Sequence, residues 1–274
     1  EASVPSPWKT SSEKQRYGGR SVTWSFEAIM IFSWTNVMIL FSTLSAAMVV
    51  LWAFQIWTKD AGIADVGWSA GIGICAIVFC YWGDGYLPRR VLVAGLALLW
   101  SLRLTLHLLP ARLLLLGEDG RYQMLRKRWG SKAQRNLFVY FQFQVVLVGV
   151  FAIPFWAIAT DVREGLTLFD YMASGLAVAA LIGERIADRQ LAVFKADPSN
   201  QGQTLMTGLW RYSRHPNYFF DWLFWWAFVL VGVNGDHLWV TLIPPVVLFV
   251  LLRYITGIPH AENQALATRG DQYR

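Results

Sequence analysis

Chemistry in this chain is concentrated in a few polar stretches set among greasy ones. The densest is 207–222, Thr-Gly-Leu-Trp-Arg-Tyr-Ser-Arg-His-Pro-Asn-Tyr-Phe-Phe-Asp-Trp. Arg211 and Arg214 can offer charge-assisted hydrogen bonds to phosphate. His215-Pro216 sets a turn, and Asn217 can cap the next apolar segment, so that its first amides face an anion. A polar cluster at the mouth of a membrane span is costly to keep unless it binds something. A second set is Glu184, Asp188 and Lys195. Spacings of four and seven put them on one helical face. Carboxylates there can accept hydrogen bonds from ribose hydroxyls or an adenine amino group, and a lysine meets phosphate as a point charge. The plainer alternative is an interfacial face whose long side chains snorkel to water.

Other polar residues fall inside or beside apolar runs. Arg103 lies mid-run with His107 one turn on. An arginine at that depth costs about 2.5–3.5 kcal/mol on insertion scales. It either pairs with Glu184 or Asp65 to order a bundle, or it contacts a phosphate or carbonyl in a polar cavity. His107 alone reads as a core histidine. Asp65 opens an apolar run, as a helix N-cap or as a desolvated carboxyl usable as an acid. Gly117-Glu-Asp-Gly-Arg-Tyr122 comes directly after an apolar helix end, where Arg121 and Tyr122 reach toward an anionic ligand or the charges form a solvated loop. Arg253 adds a late positive group. Arginines and a lysine converging with carboxylates fit a ligand bearing both phosphates and polar rings, a dinucleotide or an adenosyl compound.

These residues need a scaffold, and composition defines it. The 274 residues are 55% hydrophobic and 15% charged, with 15 tryptophans and a mean hydropathy of +0.37. Soluble domains carry about 25% charged residues, so the chain reads as an all-α polytopic membrane bundle. Its length accommodates about seven spans of about 20 residues. The net charge of +6 is then the positive-inside pattern and not a nucleic-acid surface. Cys75 and Cys80 share one apolar run and read as small packing residues. Residues 1–21 form a polar arm, and 22–274 a single membrane domain. The spans fall near 37–57 (after an amphipathic or tilted lead-in from Val22), 64–82, 91–109, 136–158, 168–194, 217–233 and 238–257. Pro110 kinks or ends the third, with an apolar extension to Leu116. Asn234, Gly235 and Asp236 form a tight turn, and a polar tail runs to Arg274. The loop 117–135 alone holds six Lys/Arg. Seven spans put it on one side with 58–62, 195–216 and the tail, the cytosolic or organellar-equivalent side, and every motif above falls there. An organellar inner membrane is one such setting. The basic arm, on the opposite side, runs against the rule.

Taken together, Asp-Val-Gly-Trp (65–68), Leu-Trp-Ser-Leu-Arg-Leu (99–104), Gly-Glu-Asp-Gly-Arg-Tyr (117–122), Ala-Asp-Arg-Gln-Leu-Ala-Val-Phe-Lys (187–195) and Gly-Leu-Trp-Arg-Tyr-Ser-Arg-His-Pro-Asn-Tyr (208–218) resemble the DUF1295 group of the steroid 5-alpha-reductase superfamily. The resemblance covers about residues 60–273. Its 214–218 portion is also similar to isoprenylcysteine carboxyl and phospholipid methyltransferases. It implies seven helices around NADPH, a pocket open to lipid for a steroid- or isoprenoid-like enone, and hydride transfer to the enone beta carbon. It places Asp65 at the catalytic glutamate position, polarising the carbonyl, and Arg103 in the cofactor cavity. Glu184, Asp188 and Lys195 match cofactor-contacting positions, Asn217 and Tyr218 the asparagine and aromatic of that site, and Arg253 a phosphate contact. Arg121, Tyr122, Arg211, Arg214 and His215 complete the expected cofactor set.

Two departures stand out. The family's catalytic tyrosine falls on Trp100, whose indole donates a hydrogen bond but gives up no usable proton. The proton would then come from Tyr212, Tyr218 or water. The family's later histidine and tyrosine positions fall on Gly257 and Ala261. The readings carried forward are an NADPH-dependent CH–CH oxidoreductase with membrane lipids around it, an S-adenosylmethionine-dependent lipid or prenyl methyltransferase, and a non-catalytic subunit of a membrane complex.

Overall fold

The computed structural model describes residues 26–113, 117–235 and 237–270. The arm 1–21, the start of the lead-in, the extension 114–116, Asp236 and the tail 271–274 lie outside them. Contacts divide the chain between Leu40 and Phe41. The described part of the first unit is helical. The second unit holds the bundle and all of the polar motifs.

Every regular element among the described residues is helical. The long helices are α1 (Phe26–Thr58), α2 (Ile63–Trp82), α3 (Leu87–Leu113), α5 (Ala133–Ala159), α6 (Leu168–Ala196) and α7 (Pro216–Gly232). Five segments are long and apolar enough to cross a membrane: Trp34–Thr58, Ile63–Trp82, Leu87–Pro110, Gly120–Ala159 and Leu238–Asn263. The other two expected spans fall outside that set for separate reasons. α6 carries Asp170 near one end and Glu184, Arg185, Asp188 and Arg189 near the other, and α7 has 17 residues.

Three details differ from the sequence expectation. The charged loop 117–135 contains a ten-residue helix, α4 (Gly120–Trp129), started by Asp119, whose side chain accepts the Arg121 amide. Pro110 does not end α3, which continues to Leu113. The seventh span is broken into α8 (Leu238–Thr241), α9 (Ile243–Val250) and a five-residue π turn, Leu251–Ile255, and the polar tail then folds as α10 (Ile258–Arg269). The first two differences arise where charges or a proline obscured a helical repeat, and the third where prolines at the start of α9 interrupt one.

α2 packs between α3 and α5, and α6 pairs with α7. The α6–α7 pair closes tightly because Phe220 lies over Gly183, where a Cβ would overlap the ring. The core is aromatic. Trp100 is fully enclosed, edge-on to Trp68 and Trp225 and stacked with Phe224, with centroids 5.2–6.0 Å away. Such pairs contribute about 0.5–1.5 kcal/mol each beyond the area they bury, and dispersion must hold helices together where lipid removes the hydrophobic drive.

Each end of the bundle is tied by a buried arginine. At one end Arg89 is fully buried. It donates to Asp170 at 3.2 Å and to the carbonyls of Arg163 and Gly165 at 2.8 and 2.6 Å. Asp161 stands 3.7 Å away and also pairs with Arg163. Burial disfavours the Asp161 charge. The hydrogen bonds and charge of Arg163, with Arg89 adding, outweigh it and hold the carboxyl below the usual carboxylate range. Its contribution is therefore present above the ordinary aspartate value and lost as pH falls through the lowered one. Arg89→Leu strands Asp170 in the interior. It is expected to lower stability by about 3–5 kcal/mol, read as earlier thermal unfolding in detergent. At the other end Arg112 meets Asp60 at 3.2 Å, and Glu118 accepts from Arg126 at 2.9 Å and from the Ala61 amide at 2.9 Å. This second clamp holds the 117–135 segment against the start of α2.

Candidate functional site

That second end gathers most of the polar residues singled out above, in two adjoining groups. The first is built on Asp65. It is not a helix cap: α2 begins at Ile63 after Gly62, and Asp65 sits within the first turn. Its carboxylate accepts from Arg121 Nη2 at 3.0 Å and from the Tyr122 hydroxyl at 2.8 Å. Tyr122 is buried, with its hydroxyl 3.2 Å from that of Tyr140 on α5. The Arg121 guanidinium lies 5.5 Å from the Tyr122 ring centroid. Asp119 accepts from Arg121 Nε at 3.2 Å. Burial of Asp119 opposes its charge, but Arg121 and its hydrogen bonds prevail and keep this carboxyl below its ordinary value. The motif 117–122 thus turns inward at its end: Asp119 starts α4, and Arg121 and Tyr122 reach Asp65.

The second group surrounds Arg103. Its guanidinium pairs with both Glu184 and Asp188, as four-residue spacing on α6 allows. Asp188 also accepts from Asn217 Nδ2 at 3.3 Å. Asn217 is not the cap of α7, since His215 holds that position without a capping hydrogen bond. Instead Asn217 binds α7 to α6. Trp100 donates from Nε1 to Asp221 at 2.8 Å. Arg103 and Asp188 also face Asp221. Tyr218 connects the groups, with Arg121 and Asp119 within electrostatic reach on one side and Asp188 and Asp221 on the other.

Around them, Gly208 adopts a φ of +59°, a left-handed conformation that suits glycine, and a Cβ there would collide with Gln190. Gln190 accepts the Leu209 amide at 3.0 Å, and Trp210 donates to the Ala187 carbonyl at 3.0 Å. The 207–211 turn is thereby fastened along α6. His215 stacks on Tyr218 with centroids 5.4 Å apart. Its Nε2 lies 3.7 Å from Glu262 on α10, and Arg214 lies 3.8 Å from the same carboxyl. Burial lowers the His215 value below that of a free histidine, with Glu262 opposing and Arg214 adding to the shift.

The other expected residues lie at the surface. Lys195, Arg211 and Arg253 are exposed, as is His107. Lys195 borders an open cavity of about 370 Å³ lined by residues 194–203, among them Asp197, Asn200 and Gln203. Trp100, by contrast, is shut inside the aromatic core with its one donor committed to Asp221.

Two participants escaped the sequence reading, Asp221 and Tyr140. Asp221 had a signal: an acidic residue in an apolar run, one helical turn beyond Asn217, is by default a functional candidate. Tyr140 had none, being one aromatic among many until folding set its hydroxyl beside Tyr122. Among the described residues no group of three His, Cys, Asp or Glu side chains is arranged to hold a metal ion.

The arrangement is set by residues that a family model also matches. The model described as "Protein of unknown function (DUF1295)" covers residues 51–274. The chain belongs to the DUF1295 family. This DUF1295 protein is 30% identical over 214 residues to an uncharacterized protein of Schizosaccharomyces pombe, a match that covers 69% of this chain and 62% of that relative. The matched stretch is thus less than two thirds of the relative's length. No solved structure matches the chain. The family segment contains both polar groups, the second clamp and the Arg89 network.

Proposed function

We propose that this chain is a membrane-embedded, NADPH-dependent reductase of a conjugated C=C bond in a hydrophobic, steroid- or isoprenoid-like substrate reached from the lipid. One observation carries the reading. Asp65, Arg121 and Tyr122 form a hydrogen-bonded array at the same end of an apolar bundle as a second polar array, Arg103–Glu184–Asp188–Asn217, and Tyr218 adjoins both. In this reading the first array serves a carbonyl and the second a nucleotide.

The residues fit the cofactor. Glu184 keeps Oε2 enclosed without a hydrogen-bond partner, as does Arg103 its Nε. Buried polar atoms left so are expensive, and ribose or amide groups would satisfy them. The exposed side chains of Lys195, Arg211 and Arg253 would supply positive charge for the cofactor's phosphates. Bound NADPH supplies the hydride. The chain's own part is to orient the carbonyl and stabilise the charge that develops on its oxygen. Trp100 cannot assist, because it is enclosed and bonded to Asp221. In this reading Asp65 polarises the carbonyl through the donors it fixes, Arg121 and Tyr122.

NADPH titration of the purified protein, followed by quenching of its many tryptophans, tests this. Saturable binding is expected. Lys195→Ala is expected to weaken it about 10-fold, equivalent to the loss of one charge-assisted hydrogen bond of roughly 1.5 kcal/mol. Saturable S-adenosylmethionine binding without NADPH binding would overturn it.

That second reading has its own support. Glu184, Asp188 and Asp221 outnumber Arg103, and an excess of carboxylates suits a cationic sulfonium. The 214–218 stretch is shared with methyltransferases. A protein that binds neither compound would be a non-catalytic subunit of a membrane complex.

A further inference from the structure

The carboxyls of Glu184 and Asp188 pair with a single guanidinium, that of Arg103, and a third carboxyl, Asp221, held by the Trp100 indole, lies within electrostatic reach of all three. The charges facing this group come from three helices. α3 contributes Trp100 and Arg103, α6 contributes Glu184 and Asp188, and α7 contributes Asn217, Tyr218 and Asp221. Arg103 is the one cation among these seven residues. If all three carboxyls were ionised, the group would carry two uncompensated negative charges within an apolar bundle. Isolated buried charges are avoided by neutralisation, and like charges that share a site do not all ionise.

The hydrogen bonds distribute the burden unevenly. Both Asp188 oxygens are used, one by Arg103 and one by Asn217. Asp221 uses Oδ1 for the Trp100 indole. Glu184 uses Oε1 for its ion pair with Arg103, and its side chain is only 7% exposed, yet Oε2 has no hydrogen-bond partner. A buried carboxylate oxygen that accepts nothing is the costly state, whereas a protonated one can donate.

We propose that Glu184 and Asp221 hold one proton between them across the α6–α7 pair, and that this proton is the acid the site delivers to its substrate. The second half rests on the reductase reading; the first does not. In the reaction, hydride adds to the beta carbon and the C=C electrons shift to give an enolate. The enolate takes the proton, and the carboxylic acid becomes a carboxylate. Enone, NADPH and one proton thus become saturated ketone and NADP⁺. The group gains a negative charge as the nicotinamide gains a positive one, so the net charge of the cavity is unchanged. The phenol that Trp100 displaced is no longer required, because the indole instead holds Asp221 in place.

Infrared difference spectroscopy of the protein in lipid nanodiscs tests the proton without a substrate. The carbonyl stretch of a protonated carboxyl is expected at neutral and mildly alkaline pH, with the usual downshift in D₂O. It should be lost or shifted in Glu184→Gln and in Asp221→Asn, each verified as folded by circular dichroism, and retained in Asp65→Asn. Absence of the band in the unsubstituted protein overturns the proposal whether or not the variants fold. Persistence in both variants also overturns it. So does a carboxylate-only spectrum that changes when sodium is exchanged for a bulky organic cation, which would assign the site to a metal cation. NADPH binding is measured on the same samples. A band without NADPH binding leaves the shared proton standing and refutes its reductive role, whereas NADPH binding without a band refutes the shared proton and leaves the reductase reading standing.

Discussion

Arg103→Ala is expected to be among the most damaging single substitutions in the chain, with a loss of stability of about 3–5 kcal/mol. The side chain is 16% exposed and pairs with Glu184 and Asp188, whose side chains are 7% and 16% exposed. Its removal leaves two carboxyls facing Asp221 with no cation among them. Breaking a buried ion pair from one side is costly because the surviving charge keeps its desolvation penalty and loses its attraction. Thermal unfolding in detergent measures the effect. Arg103→Lys should recover part of the loss, since an ammonium restores the charge but cannot fork to two carboxyls. Replacing Arg103, Glu184 and Asp188 together with leucine should recover much of the stability while NADPH binding stays lost. That combination separates a group retained for the ligand from one retained for the fold. If the triple variant still bound NADPH, the nucleotide would lie elsewhere.

Asp65→Asn is expected to reduce turnover about 10²–10³-fold, the magnitude seen when one preorganised oxyanion contact is lost, while NADPH affinity changes only a few-fold. Asparagine nearly preserves the shape but removes the charge that holds Arg121 at 3.0 Å, and it weakens the pull on the Tyr122 hydroxyl at 2.8 Å. Tyr122→Phe should reproduce part of the loss. The readout is a split in which the catalytic constant falls and cofactor binding does not, since an interaction made mainly in the transition state leaves ground-state binding intact. NADPH oxidation over a panel of hydrophobic enones provides the assay. Parallel loss of binding and turnover would instead make Asp65 a cofactor or folding residue.

The two arrays differ in how far they could be read from residue order. Glu184 and Asp188 were recognisable as one face because helical spacing is local geometry, and a buried pairing of Arg103 with Glu184 was among the expected outcomes. Asp65 was assigned either to a cap or to a cavity, a choice that depends on where α2 starts. Asn217 was expected to cap α7 and instead bridges to α6, because a helix entered through His215-Pro216 leaves the asparagine two residues past the cap. Asp221 was visible only as a charge inside an apolar run. Its partner, Trp100, is 121 positions away, and no periodicity connects residues that far apart.

Composition and local pattern were sufficient for the all-helical membrane class, for the long helices after α1 to within a few residues, and for the family motifs. Hydropathy and the i, i+4 repeat are properties of a segment and its solvent, and they survive without knowledge of neighbours. Tertiary structure alone decided which carboxyl meets which cation, that the charged loop folds as α4 against Asp65, that the last expected span is broken and includes a π turn, and that a third acid, Asp221, comes within reach of the Arg103 pairings. Those outcomes depend on contacts between segments far apart in the chain. Burial makes each unpaired charge expensive, and that cost selects the pairings only once the helices have been brought together.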